Sequence, residues 1–433
     1  MTPAIRRTLA PDPLFPQRDI LLDVNTVAQR LAAQLGTRAP RTITHCERLR
    51  VKYRMGESLR VLHCIQAHGR WFVVAARMFP AGHSATAYQK AAAAAVPCGL
   101  LRPVLHDADL STVFWTFPND RKIANLPLLT HVPPTLQQLL GQPWRRSQVV
   151  AYAPEKSATA QCLDDQRVTR AYAKVYAGQE GYGGYHAHHT LWCRLPVGDP
   201  HLRLPQALAY SEPHCTLLLE PAMGQRLIDL RGTALRHGLQ RFGAALARLH
   251  GLVPPELPSF TRLDLASLQQ AACLITQLRP DVGEAANDLA RQLTSTWERP
   301  TEPPVCLHGD VHLKNGLLAE DRVTLLDLDQ AALGPAAADL GSLLAGLQYR
   351  GCVGVFPRAT AHALASSFLT GYAAVRPLPS PTSLRWHTAA ALLAERALRA
   401  VNRLRLLGLQ HLDALLAHAT ALSTGEGDVS PMV

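Results

Sequence analysis

At 433 residues, of which 47% are hydrophobic and 18% charged, the chain is long enough for two domains or one bilobal domain and can fill real cores. Its nine cysteines are scattered, with no Cys-x-x-Cys and no Cys/His pairing at zinc spacing, which argues for reduced thiols rather than a disulfide framework or a zinc site. No run of about 18 apolar residues occurs, and the first residues lack the apolar segment of a secretory leader, so a soluble, cytoplasmic protein without a membrane partner is expected.

The formal net charge of +11 is unevenly placed: residues 1–145 carry 18 Lys/Arg against 8 Asp/Glu, and the remainder 26 against 25. Such an excess can serve an acidic partner. No basic run or nucleic-acid motif accompanies it, so it reads as an Arg-rich solvated surface, and nucleic acid is not an expected partner. Oligomeric state is left open.

In chain order, residues 1–20 are Pro-rich and read as an extended arm. Val24–Leu35 has helical apolar spacing, with Asn25 or Thr26 as cap and Gly36 as stop. Glu47–Ile65 reads as two strands around a Met55-Gly56-Glu57 turn. Arg70–Phe79 is a third strand, Ser84–Ala95 a helix and Ser111–Phe117 a further strand.

From Ser147 the layout recurs: strand, tight turn with Glu and Ser, strand, loop, strand with a basic residue. Tyr53 and Ser58 precede Tyr152 and Ser157 by 99 residues, and Arg77 precedes Lys174 by 97. This spacing predicts a tandem duplication of a three-stranded unit. Tyr182–Arg194 then reads as a helix containing no acid, with Glu180 before it. Gln206–Glu220 reads as a hairpin, running into a loop with Gly224.

From Leu227 the pattern turns helical. Thr233–Leu252 sets Leu235, Leu239, Phe242, Leu246 and Leu249 on one face, and His250 at its end reads as a packed histidine. Ser267–Leu278, Ala285–Trp297, Ala338–Tyr349, Thr360–Ala374, Leu384–Leu406 and Gln410–Leu422 are further expected helices, before a loose Gly/Ser/Pro tail from Ser423.

The stretch that carries chemistry is Val305–Asp329, VCLHGDVHLKNGLLAEDRVTLLDLD. An apolar run leads to His308, Gly309 and Asp310 at a turn. Asn315 follows, and two short strands joined at Glu320-Asp321-Arg322 end at Asp327. An Asp–x4–Asn loop followed by a hairpin ending in Asp has the spacing of a phosphoryl-transfer site. Asp310 would accept a hydroxyl proton, while the Asn315 oxygen and Asp327 would hold Mg²⁺, a hard ion that wants oxygen ligands. Asp329 is a weaker candidate for a water-mediated metal contact.

HGDVHLKN with LLDLDQAALGPAAADLGSLL resembles the aminoglycoside phosphotransferase and choline kinase superfamily, distant relatives of protein kinases. The matching positions are His308, Asp310, Asn315, Asp327, Gly334 and Asp339-Leu340. The resemblance implies an α+β, bilobal, protein-kinase-like fold with a small β lobe at 146–222 and a helical catalytic lobe at 223–433. The module at 1–145 adds a β-rich copy of the small lobe.

The resemblance also implies residue roles. Lys174 would reach nucleotide phosphates from its strand, and backbone groups near Glu220 and Ala222 would meet the base at a hinge. His308 would brace the loop, Asp339 would support its backbone, and the Leu384–Leu406 region would help form the acceptor pocket. With Arg77 in the place of Lys174 and no helical lobe directly after it, the first copy is not expected to bind nucleotide.

The chain departs from the family in lacking a Gly-rich phosphate loop, whose place is taken by Tyr152–Ser157, and in offering no clear Glu partner for Lys174. The expected activity is ATP- (or GTP-) and Mg²⁺-dependent phosphorylation of a hydroxyl on a small molecule. A catalytically inactive, nucleotide-binding regulator is the rival. The Leu384–Leu406 segment holds five Arg against Glu395 alone, which points to a sugar or sugar derivative rather than a polycationic aminoglycoside, unless Asp199, Asp229 or Asp264 gather at the pocket.

Overall fold

The computed structural model describes residues 9–34, 43–99, 101–298 and 302–426. The start of the Pro-rich arm, the Gly36 stop and most of the C-terminal tail lie outside the described residues. The chain forms two compact units. One comprises Met1–Tyr182, Ala209–Leu218 and Val401–Leu406, and the other Gly183–Leu208, Leu219–Ala400 and Leu407–Val433.

The first unit holds two β lobes of the same design. In the first lobe, α1 (Arg18–Leu22) and α2 (Val24–Gln34) lead into β1 (Ile43–Arg54), β2 (Ser58–Ala67) and β3 (Arg70–Met78). α3 (Ser84–Ala93), β4 (Val104–Asp107) and β5 (Thr112–Thr116) follow. In the second lobe, α4 (Pro134–Leu140) leads into β6 (Arg146–Ala153), β7 (Ser157–Leu163) and β8 (Thr169–Tyr176). α5 (Glu180–Arg194) and the short β9 (Leu202–Arg203) come next in the chain but fall, from Gly183 on, in the second unit, and β10 (Ala207–Ser211) and β11 (Thr216–Leu219) return to the lobe.

The strand orders are β1-β2-β3-β5-β4 and β6-β7-β8-β11-β10, one topology used twice. Near the turn the register agrees. Arg54 opposes Ser58 and Tyr53 opposes Leu59 in one copy, as Ala153 opposes Ser157 and Tyr152 opposes Ala158 in the other. Arg60 pairs with Arg77 across β2 and β3 where Thr159 pairs with Lys174 across β7 and β8. The duplication read from the 99-residue spacing therefore extends to five strands. β4, a four-residue strand with little alternation, was beyond what periodicity could find. The second lobe buries Trp144, Leu126, Leu136, Ala158, Ala160, Ala173 and Val175 in one cluster. Alanines facing in along β7 and β8 leave room for the large Trp144 ring.

Glu180 opens α5 rather than preceding it, so the helix after Lys174 does carry an acid in its first turn. The expectation of an acid-free helix fails because the helix begins two residues earlier than its apolar spacing suggested.

The second unit is mostly helical. Its helices are α6 (Gly232–His250), α7 (Leu265–Leu278), α8 (Gly283–Ser295), α9 (Ala336–Cys352), α10 (Arg358–Ala373) and α11 (Pro381–Ala391), followed by α12 (Leu398–Asn402), α13 (Leu406–Gln410) and α14 (Leu412–Thr424). The apolar face expected on the first of these is present: Leu235, Leu239, Phe242, Leu246 and Leu249 are all buried, and the Phe242 and Phe368 rings lie 6.0 Å apart between α6 and α10.

The region expected as one helix over Leu384–Leu406 is several pieces. It starts at Pro381, where Ser380 caps the helix by accepting from the Ser383 N–H at 3.2 Å and proline suits the first turn. It passes through a π-helical segment at Leu392–Ala397 and ends at Asn402. Leu404 then takes a φ of +46°, which no helix continues through. Short ladders complete the unit: β12 (Gln225–Arg226), β14 (Gly316–Ala319) and β15 (Arg322–Leu325) form a sheet with β9, while β13 (Val305–Leu307) pairs with β16 (Ala332–Gly334).

Candidate active site

β13 delivers the chain, fully buried, to His308-Gly309-Asp310. The loop is fastened from three sides. Asp339, near the start of α9, accepts the backbone N–H of His308 at 2.6 Å and of Gly309 at 3.0 Å. Behind it, His250 Nε2 donates to Asp339 at 3.2 Å and the Tyr372 hydroxyl lies 2.8 Å from His250 Nδ1. Burial lowers the His250 imidazole, against the pull of Asp339, and keeps it neutral. This histidine is packed and hydrogen-bonded, as its place at the end of an apolar helix suggested.

His308 Nε2 donates to the Leu326 carbonyl at 2.9 Å, and its Nδ1 accepts the Asp310 N–H at 3.3 Å. One ring thus ties the Asp310 loop to the residue before Asp327. Gly309, at φ +77°, completes the lock. A Cβ there would come within 2.0 Å of the Gln330 carbonyl oxygen, so only glycine lets the loop lie against the Leu328–Gln330 turn.

Asn315 is buried, and its Nδ2 donates to the Asp310 carbonyl at 3.1 Å. Its own carbonyl accepts from Leu326 N at 2.9 Å. β14 and β15 form the expected hairpin, with Ala319 opposite Arg322 and Glu320 at φ +54° in the two-residue turn. Asp327 follows β15 with φ +63° and ψ +64°, a left-handed conformation that costs a non-glycine residue about 1 kcal/mol or more.

The chemistry of the donors fits a hard cation. The Asn315 amide spends its N–H end on Asp310 and keeps Oδ1 for a ligand, and Asp327 adds a carboxylate. Two protein oxygens suit Mg²⁺, which usually takes the rest of its shell from phosphate and water. Among the described residues, no group of three or more His, Cys, Asp or Glu could hold a metal unaided.

Asp310 sits among cations. Arg399 lies 3.5 Å from its carboxylate, His312 Nε2 3.6 Å and Arg262 4.0 Å. Burial alone would raise its pKa, but His312, Arg399 and Arg262 outweigh it and hold the carboxyl down at about 2. Arg262 also donates to the Gly309 carbonyl and lies 3.5 Å from Glu395, which accepts from Ser342 at 2.7 Å. Glu395 lies in the π-helical turn, a feature frequent at functional sites.

Sequence reading missed Arg262, which no motif signals, and His188. The latter is buried in α5, and its Nε2 accepts the Leu328 N–H at 3.2 Å, pinning the turn after Asp327. The acids that could have gathered at the pocket have local partners. Asp199 is held by Arg248 at 2.8 Å, Asp229 by Arg226 at 2.7 Å, and Asp264 caps α7.

At the expected hinge, Glu220 N donates to the Gln206 carbonyl at 2.9 Å, and the Glu220 carboxylate meets Arg203 at 2.5 Å. Ala222 lies in the loop after β11, and Gly224 has a φ of +131°. Lys174, in the first unit, is buried on β8 with its amine 5.2 Å from the centre of the Tyr176 ring.

Residues 188–378 match the family model described as "Phosphotransferase enzyme family". The match spans less than half of the chain and shows a resemblance of this segment to that family. The matched segment contains the whole loop from His308 to Asp339, so the recognition made from HGD–x4–N and the downstream acids holds. A search of curated proteins finds no match.

Among solved structures, spectinomycin phosphotransferase in complex with ADP and spectinomycin is similar at 15% identity, covering 66% of this chain and 97% of that one, with a TM-score of 0.46. A thermostable mutant of an aminoglycoside phosphotransferase bound to AMP-PNP and hygromycin B gives 15%, 69%, 99% and 0.47. A choline/ethanolamine kinase family protein from Mesorhizobium loti gives 16%, 69%, 93% and 0.44.

Proposed function

We propose that the protein is a small-molecule kinase, transferring a phosphoryl group from a Mg²⁺-bound nucleoside triphosphate, ATP or GTP, to a hydroxyl. The observation that carries this reading is the His308 bridge. Through Nε2 to the Leu326 carbonyl and Nδ1 to the Asp310 N–H, it fixes the Asp310 loop and the approach to Asp327 in one frame. Phosphoryl transfer asks a protein mainly for positioning and charge neutralisation.

In this reading the Asp310 carboxylate accepts the hydrogen bond of the acceptor hydroxyl and aims its oxygen at phosphorus. With a pKa of about 2 it is ionised at any physiological pH but is a weak base, so it orients first and takes the proton late. Asn315 and Asp327 would hold Mg²⁺, which neutralises phosphate charge, with Asp329 the weaker candidate for a metal contact. Lys174 would contact nucleotide phosphate, and the Glu220–Ala222 segment the base.

The proposed acceptor is neutral or anionic, a sugar or sugar derivative being the simplest class. Arg399 and Arg262 lie 3.5 and 4.0 Å from the Asp310 carboxylate, and positive groups so close to the reacting hydroxyl disfavour a polycation. The test is a screen of neutral, anionic and polyamine hydroxyl compounds with Mg-ATP. Turnover confined to aminoglycosides would reject the acceptor, and nucleotide binding with no turnover on any acceptor would favour the inactive rival.

A further inference from the structure

The turn between β6 and β7, where kinase-like lobes carry a Gly-rich loop, has Glu155 at its tip with no glycine. Its side chain is 4% exposed. Arg77 reaches it at 2.7 Å, Arg121 at 2.8 and 2.9 Å, and Arg60 at 3.0 Å. Three guanidinium groups from the first 145 residues thus converge on one carboxylate of the second lobe.

The duplicated topology gives this cluster a meaning. Glu155 corresponds to Gly56 in the first lobe, and both have a left-handed backbone, at φ +63° and +67°. Glycine takes that conformation freely, while glutamate does so at a cost. In each copy an upstream carboxylate secures the turn. Asp12 accepts Gly56 N–H at 3.0 Å and the Tyr53 hydroxyl at 2.7 Å, and Asp120 accepts Glu155 N–H at 3.0 Å and the Tyr152 hydroxyl at 2.7 Å. That anchoring is complete without any side chain at the tip. The Glu155 carboxylate is an addition to the second copy alone, kept in spite of the backbone it must adopt.

Its partners are also placed by the repeat. Arg77 occupies the strand position of Lys174, and Arg60 is its cross-strand neighbour. The basic position that the second lobe would offer to phosphate is, in the first lobe, already taken by a carboxylate of the same chain. Burial pushes the Glu155 pKa up, but Arg121, Arg77 and Arg60 outweigh it and hold the carboxyl at about 2.

We infer that Glu155 is a positioning residue for nucleotide binding: the first lobe no longer takes a phosphate but grips the Glu155 carboxylate, holding the β6–β7 turn in the place of the missing Gly-rich loop. The inference rests on the kinase reading above. It gives a reason for joining an extra lobe to this one, and a partner at residue 155 for three of the arginines of residues 1–145. A turn stiffened this way meets nucleotide phosphates without the ordering cost that a mobile loop incurs.

Glu155→Gly tests it, since the variant removes the carboxylate and installs the residue that the backbone favours. The expected result is a rise of roughly tenfold in KM for Mg-ATP with a much smaller change in kcat, as when a pre-organised binding element is loosened. Amide exchange at residues 150–158 should accelerate while β2 and β3 stay protected. Glu155→Gln, which keeps the size, should fall between wild type and Glu155→Gly. Arg77→Ala should raise KM in the wild type and add nothing in Glu155→Gly. Unchanged KM and unchanged exchange in Glu155→Gly would overturn the inference, as would parallel loss of activity and folded protein in both Glu155 variants. If the wild type binds no Mg-nucleotide, the kinase reading itself fails, a distinct outcome seen before any variant is made.

Discussion

The Asp339 carboxylate accepts the His308 backbone N–H at 2.6 Å, joining residues 31 positions apart in a buried site. Asp339 also takes the Gly309 N–H, so its removal leaves two buried donors without a partner. Each such orphan costs about 1–3 kcal/mol. Asp339→Ala should therefore lower stability by a few kcal/mol in denaturant unfolding and abolish turnover through misplacement of Asp310. Asp339→Asn, which keeps one acceptor oxygen, should lose less stability. Wild-type stability in the alanine variant would contradict this account of the loop.

Asp327 is expected to bind metal directly and Asp329 to contribute less. Asp327→Ala should lose Mg²⁺-dependent nucleotide affinity together with turnover, and Asp329→Ala should retain most of both, as measured by nucleotide titration with and without Mg²⁺. The reverse pattern would exchange the two roles. The left-handed backbone at Asp327 adds a second readout. Asp327→Gly should cost less stability than Asp327→Ala, because glycine relieves about 1 kcal/mol of backbone strain.

Much of this site could be read from the sequence because its logic is local. Asp310, Asn315 and Asp327 lie within one loop and hairpin, and turn chemistry fixes their order. The repeat was legible because turns and strand residues keep their spacing even where identities diverge. Arg399 was legible as part of the Arg-rich acceptor segment, though not its approach to Asp310; Arg262 and His188 could not be read, since each reaches the loop from a connection or helix far along the chain, and no local pattern encodes such a contact. The same holds for Glu155. Its place in a tight turn was visible, but its three arginine partners come from β2, β3 and the segment after β5. The break in the expected long helix over 384–406 was hidden by uniform Ala/Leu/Arg composition, which suits an α-helix and a π-turn equally.

Arg399, 3.5 Å from Asp310, should govern acceptor charge. Arg399→Glu should reduce kcat/KM for an anionic or neutral acceptor and improve it for a polyamine acceptor, since reversing a charge in a partly buried site shifts the preference by a few kcal/mol. Nucleotide KM should stay near the wild-type value. Equal effects on all acceptors would mean that Arg399 serves Asp310 alone.

The pH dependence of stability follows from Glu155. Its folded pKa, about 2, lies below the ordinary value of 4.5. A group depressed in this way stabilises the fold above its unfolded pKa and loses that contribution as pH falls through the folded one. The contribution is thus full at neutral pH and fades between about 4.5 and 2. Glu155→Gly lacks it, so urea unfolding should show wild type losing its advantage over the variant as pH drops through that window. A stability difference constant with pH would contradict the arginine clamp.

The most direct test of the kinase assignment is Asp310→Ala, assayed for both Mg-nucleotide binding and phosphoryl transfer. The account predicts nucleotide affinity close to wild type, because Asn315, Asp327 and Lys174 are untouched, with turnover reduced by roughly 10² to 10⁴. Turnover comparable to wild type would contradict the role assigned to Asp310, and with it the reading of the HGD loop as the centre of the chemistry.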